Sequence, residues 1–180
     1  MFDESNYSFA RYLSSKKSVD NRALNRVVWQ RLQSIIACEH SGKPPAILEI
    51  GAGIGTMFER SLEWGLFKKA YYTAIDAMLE NILEARARIP GWAYNVSYRV
   101  EEIADDELRL SGSGTDVTLK LEEGDFFDFA MKNHGSYAWD LIIANAFLDL
   151  VDAGRTLPMR DFRTELNGFR RLRPGIRRWT

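Results

Sequence analysis

The sequence predicts an α/β fold, a parallel sheet with helices on both faces, and three observations predict it. Short apolar runs at Ala46 to Ile50, Ala70 to Ile75 and Trp139 to Asn145 have the near-continuous hydrophobic character of strands buried on both faces. Long stretches of helical spacing separate them. The first run passes into Gly51-Ala52-Gly53-Ile54-Gly55-Thr56, a turn with glycine at alternate positions that opens a helix. Strand, glycine turn and helix N-terminus together make a ligand cradle, because glycine admits positive φ and close backbone approach and the helix aims its free amides at the same point.

The elements follow in chain order. Tyr7 to Lys17 mixes aromatic and charged residues and reads as an arm lying on the domain. From Asp20, the expected N-cap, Leu24, Val27, Val28, Leu32, Ile35 and Ile36 recur at helical spacing. Ser41-Gly42-Lys43-Pro44-Pro45 stops that helix, so residues 1–45 form an N-terminal helical cap and 46–150 the core. After Thr56 a short helix runs through Trp64 and closes on Gly65 as its C′ residue. The second strand ends at Asp76. The next helix carries Met78, Ile82, Leu83 and Ile89 and ends at Pro90-Gly91. Val96, Tyr98 and Val100 alternate, as do Leu108 and Leu110, then Val117, Leu119 and Leu121. With Ser111-Gly112-Ser113-Gly114 between the last two runs, this reads as an inserted β-hairpin, with room for a further strand before it. Its second arm leads into Glu122-Glu123-Gly124-Asp125-Phe126. The fourth strand, 139–145, follows.

The glycine spacing narrows the ligand. A dinucleotide loop wants G-x-G-x-x-G, whereas these glycines fall at 51, 53 and 55 with Thr at 56. No Gly-Lys-Ser/Thr follows, so the phosphate loop of nucleotide hydrolases is excluded as well. Glu49, at the end of the strand, repels a phosphate and suits amino or hydroxyl groups. A purely structural turn remains the alternative. Asp76 lies 25 residues beyond Gly51, about where such folds place a ribose-binding acid, and a carboxylate there can accept from ribose hydroxyls; its alternative is a surface Asp capping the next helix.

Glu49-Ile50-Gly51-Ala52-Gly53-Ile54-Gly55 resembles motif I, E/D-x-G-x-G-x-G, of the class I S-adenosylmethionine-dependent methyltransferases. The resemblance covers about residues 20 to 150. It implies a Rossmann-like sheet ordered 3-2-1-4, S-adenosyl-L-methionine as cofactor, and methyl transfer to an acceptor, here expected to be a small molecule. The cofactor-binding residues it implies are Glu49, Gly51, Ala52, Gly53, Gly55, Asp76, Ala77 and Met78, together with Asp125 and the adjoining backbone of Phe126 at the adenine. Asp140-Leu141-Ile142-Ile143-Ala144-Asn145 is similar to the family segment that ends beside the transferred methyl. Asn145 is therefore expected at both cofactor and reaction, unless it merely satisfies a strand end, and Phe147 and Leu148 would line the pocket. Asp149, with Asp152 near it, would orient an acceptor or take its proton, and Tyr7 and Tyr12 could form a lid.

The family sheet has seven strands, 3-2-1-4-5-7-6. Leu172-Arg173-Pro174-Gly175 is similar to the turn that precedes its fifth strand, and the chain reaches Thr180 soon after. The expectation is a truncated or altered C-terminal half, with the fourth strand left as an edge that a second copy could pair with as a homodimer. Without those strands, the competing reading is a non-catalytic cofactor-binding fragment that associates through that edge. Residues 155–180 hold eight arginines against Asp161 and Glu165, which leaves an Arg-rich nucleic-acid tail as the less favoured account of this segment. A net charge of −1 calls for neither nucleic acid nor membrane. No apolar run approaches a membrane span. A single cysteine, Cys38, excludes an internal disulfide, fits a reducing, cytoplasmic compartment, and is expected to be partly buried and inert. His40 and His134 have no partners at metal-ligand or triad spacing, so no metal is expected.

Overall fold

The computed structural model describes residues 24–40, 42–133 and 139–144. Ten elements follow one another: α1 (Arg26–Glu39), β1 (Ala46–Ile50), α2 (Thr56–Glu63), β2 (Lys69–Asp76), α3 (Leu79–Asn95), β3 (Arg99–Ala104), β4 (Glu107–Gly112), β5 (Thr115–Glu123), α4 (Phe126–Lys132) and β6 (Leu141–Ile143). The six strands form one sheet in the order β3-β4-β5-β2-β1-β6. β5, β2, β1 and β6 are mutually parallel, while β3 and β4 run antiparallel at one side. In the family's count β5 is strand three and β6 strand four, so the Rossmann-like order 3-2-1-4 is present. The second arm of the hairpin, β5, is itself strand three and leads into Gly124-Asp125 as expected. Chain order reverses between β1 and β6, the switch point outside which open α/β sheets bind ligands.

Alternation builds the two layers. One face of the sheet, with Ile47, Ala70, Tyr72, Ala74, Leu108, Leu110, Val117, Leu119 and Leu121, is buried beneath the helical layer that supplies Trp29, Phe58, Leu62, Ala85, Ile89 and Ala93. The other face places Leu48, Ile50 and Ile75 against Phe126 and Phe129 of α4. β5 alternates buried and half-buried residues along its length, as a strand with one fully covered face should.

Several expectations need correction. α3 does not end at Pro90-Gly91 but continues to Asn95 with Pro90 inside it. The buried stripe Ile82, Ala85, Ile89 and Ala93 continues across the proline, and its packing offsets the lost backbone bond. Leu83 lies off that stripe and is exposed. In α1 the residues turned inward are Trp29 and Ile36, whereas Val27 and Val28 face outward. Trp29 stacks edge-on against Trp64, and a large aromatic that finds such a partner sets the rotation of the helix. The N-cap described is Asn25, whose side chain accepts from the Val27 and Val28 amides; Asp20 lies outside the described residues. Cys38 is a free, exposed thiol rather than a partly buried one. β6 is shorter than expected, stopping at Ile143. It is the outermost strand on its side among the described residues. Tyr7, Tyr12, His134, Asn145, Phe147, Leu148, Asp149, Asp152 and the Arg-rich segment lie outside the described residues, as do the expectations that rest on them.

Candidate functional site

The carboxyl ends of β1, β2 and β5 meet at one point. Gly51, Gly53 and Gly55 take φ of 67°, 55° and 80°, left-handed values that glycine adopts without the strain other residues incur. At Gly51, the exposed residue of the loop, an added Cβ would meet nothing within 4 Å, so conformation, not crowding, calls for glycine there. At Gly55 crowding adds to conformation, because a Cβ would stand 3.0 Å from Ile89 Cδ1 of α3. Gly55 is also the N-cap of α2 and supplies no capping side chain, so the amide end of α2 opens onto the loop. Ala52 N donates to Ile75 O at 3.0 Å, which ties the loop to β2.

Asp76 organises the junction. Its Oδ2 accepts from Gly53 N at 2.7 Å, and its Oδ1 accepts from Met78 N and from Asn81 Nδ2, each at 3.0 Å. Its carbonyl accepts from Gly124 N at 2.9 Å, which brings the end of β5 alongside. The glycine loop, the acid at the end of β2 and the segment after β5, read separately in the sequence, are thus brought together by this one residue.

Glu49 stands elsewhere. It was expected to offer its carboxylate to the ligand, but it is 3% exposed. Two residues before the loop, strand alternation turns its side chain to the helix-covered face with Ile47. There Oε2 accepts from the Tyr72 hydroxyl at 2.7 Å. Burial pushes the carboxyl up to about 7, against the opposing pull of the Tyr72 bond and the Arg60 charge; Asp76 adds a smaller push upward. Burial and the adjacent Glu49 push the Tyr72 hydroxyl up as well, so tyrosine is the donor in this pair.

Ala77 and Met78 are exposed just beyond Asp76. Asp125 is exposed, and its Oδ1 caps α4 by accepting from Phe127 N at 2.8 Å and Asp128 N at 3.3 Å. That leaves Oδ2 as the oxygen outside the cap. The Phe126 side chain is buried in the second core, so only its backbone can face a ligand, as the resemblance implies. Neither the helix cap nor the core packing was visible in the Gly-Asp-Phe sequence.

No protein-family model matches the chain, and no curated protein does. Among solved structures it is similar to the plantazolicin methyltransferase BpumL in complex with SAH, at 19% identity over 90% of this chain and 58% of that one, with a TM-score of 0.36. It is similar also to BpumL in complex with a triazolic desmethylPZN analog and SAH, at 22% identity over 73% of this chain and 39% of that one, TM-score 0.33. BamL with a triazolic desmethylPZN analog and SAH matches at 16% identity, TM-score 0.33, over 86% of this chain and 60% of that one. The chain thus spans less than two thirds of the length of these neighbours. At such scores the overlap decides nothing about chemistry, and the site's own geometry has to carry the function.

Two residues that sequence reading missed hold the site from α3. Asn81 reaches Asp76, and Arg88 Nη1 donates to Ile54 O at 3.0 Å. Arg88 also pairs at 3.0 Å with Glu59, a buried residue of α2. Their spacing gave a signal: 81, 85 and 88 follow the helical period of the inward stripe, and a polar residue on an apolar stripe needs a partner. A cavity of about 330 Å³ lies apart, lined by Tyr71, Thr73, Thr118, Lys120, Phe129 and Trp139. Most of its strand residues sit mid-strand, and Lys120 there is already paired with Glu122 at 2.9 Å. It is therefore not the cleft at the strand ends. Among the described residues no cluster of His, Cys, Asp or Glu could hold a metal, and no helix is long and apolar enough to cross a membrane.

Proposed function

We propose that the carboxyl ends of β1, β2 and β5 bind S-adenosylmethionine and that the chain serves methyl transfer to a small-molecule acceptor in the cytoplasm. The observation that carries this is the Asp76 carboxylate holding the Gly53 amide at the mouth of a G-x-G-x-G loop, with the β5 end bonded to the same residue. The residues fit the group. The open, exposed backbone at Gly51 suits close approach of the amino-acid portion. A carboxylate has about four acceptor positions, and Asp76 uses three, leaving one on Oδ2 for a ribose hydroxyl. Ala77 and Met78 would flank the nucleoside, and Asp125 Oδ2 with the Phe126 backbone would receive the adenine edge. Glu49, buried and bonded to Tyr72, is left out of the proposed ligand contacts. Asn145 and Asp149 are the proposed acceptor-side residues.

The cofactor supplies a methyl group already activated on a sulfonium, so the chain's task is to hold donor and acceptor in line. A general base is then optional. That β6 is outermost on its side among the described residues favours one runner-up, a cofactor-binding module without activity that associates through this edge. Thermal shift separates the cofactor classes. S-adenosylmethionine or S-adenosylhomocysteine at about 100 times its Kd should add roughly 2.7 kcal/mol of stability; a shift with NAD alone overturns the reading. Methyl release to a panel of small acceptors separates enzyme from module.

A further inference from the structure

Asn81 is 5% exposed in the first turn of α3. A buried side-chain amide is costly unless bonded, and its described bond runs from Nδ2 to Asp76 Oδ1 at 3.0 Å. The Met78 amide donates to the same oxygen at 3.0 Å. Oδ1 therefore has both acceptor positions filled by the protein, while Oδ2 has one filled, by Gly53 N at 2.7 Å. The carboxylate is consequently not symmetric toward a ligand: one oxygen is saturated and the other shares its capacity between the loop and any incoming donor.

We propose that Asn81 is a positioning residue that saturates Asp76 Oδ1 and fixes the carboxylate so that Oδ2 receives one ligand hydroxyl beside the Gly53 amide. The proposal rests on the reading of the strand ends as a ribosyl-cofactor site and adds the means by which the ribose is read. Because one oxygen serves both Gly53 and the hydroxyl, ribose recognition and the shape of the glycine loop are coupled. A free carboxylate could instead rotate and leave the loop.

The test is calorimetric titration of the full chain with S-adenosylhomocysteine from pH 5 to pH 8, on wild type, Asn81→Asp and Asn81→Ala, with folding checked by circular dichroism. Asn81→Asp is isosteric and sets a second carboxyl 3.0 Å from Asp76 Oδ1, so the pair shares a proton at low pH and repels when both ionise. Its affinity should match wild type most nearly at pH 5 and fall progressively by pH 8. Asn81→Ala adds no charge; it should lose about tenfold in affinity at every pH while remaining folded, and this variant decides the matter if Asn81→Asp does not fold. An α3 residue with a merely structural role would change stability and leave the affinity of the folded protein unaltered. Unchanged affinity in Asn81→Ala, or an Asn81→Asp profile parallel to wild type, overturns the proposal while the cofactor reading stands. No binding to wild type overturns both.

Discussion

Glu49 and Asp76 stand near the carboxyl ends of neighbouring parallel strands, with Glu49 level with Ala74, and both are nearly sealed from water at 3% and 9% exposure. Their surroundings divide their work. Glu49 faces the helical layer, meets one hydroxyl, and is pushed up to about 7 by burial. Asp76 faces the loop and is oriented by three N–H donors. Exposure alone does not say which carboxylate can host a ligand. By the register both leave their strands on the same face, Asp76 one pleat beyond the level of Glu49; what differs is that Asp76 stands at the strand end, where the loop and α3 bring it three N–H donors.

The comparison breaks most visibly in ligand binding. Asp76→Ala removes the proposed ribose acceptor and releases Gly53, so S-adenosylhomocysteine affinity should fall about a hundredfold or more. Glu49→Gln keeps a hydrogen-bond acceptor for Tyr72 and should leave affinity nearly unchanged. Calorimetry on the two variants decides; equal losses would mean that Glu49 touches the ligand.

Stability against pH sharpens the same contrast. Glu49 has a folded value of about 7 against an ordinary 4.5, so between these values the folded state holds the extra proton. Its contribution is therefore fully present below about pH 4.5 and is lost as pH rises through about 7. Urea midpoints for wild type should decline across this window relative to Glu49→Gln, which carries no ionisable group there. A wild-type curve parallel to the variant would place the Glu49 carboxyl in a far wetter setting.

The smallest effect concerns the loop's footing. Gly55→Ala forces a Cβ into φ 80° and to 3.0 Å from Ile89 Cδ1. Since Cδ1 is the mobile tip of a side chain, the backbone should dominate, with a cost of about 1–2 kcal/mol in thermal or urea unfolding. A neutral substitution would show that the loop can take another conformation.

The parallel half of the fold was legible because its strands are short apolar runs ending in glycine or acid, and the G-x-G-x-G spacing named the loop. The position of Asp76 at the end of β2 was legible from the apolar run before it; its bond to the Gly53 amide was not. The burial of Glu49 and its bond to Tyr72 were not legible, because a motif gives a position along the chain but not what the helical layer packs over it. Pro90 read as a helix end because local propensity is visible in sequence, whereas the packing of Ile89 and Ala93 that overrides it is tertiary. Asn81 and Arg88 went unread for a similar reason: their partners, Asp76 and Ile54 O, lie on elements that only the fold brings near.

The central claim is that the three strand ends, and not the sheet-face cavity, take the cofactor. An amide ¹H–¹⁵N spectrum titrated with S-adenosylhomocysteine tests it most directly. Saturable shifts should gather at Gly51, Gly53, Gly55, Asp76, Asn81, Gly124 and Asp125, with the Tyr71, Thr118 and Lys120 amides left in place. Shifts confined to Tyr71, Thr118, Lys120 and Trp139, or produced by NAD and not by S-adenosylhomocysteine, would contradict it.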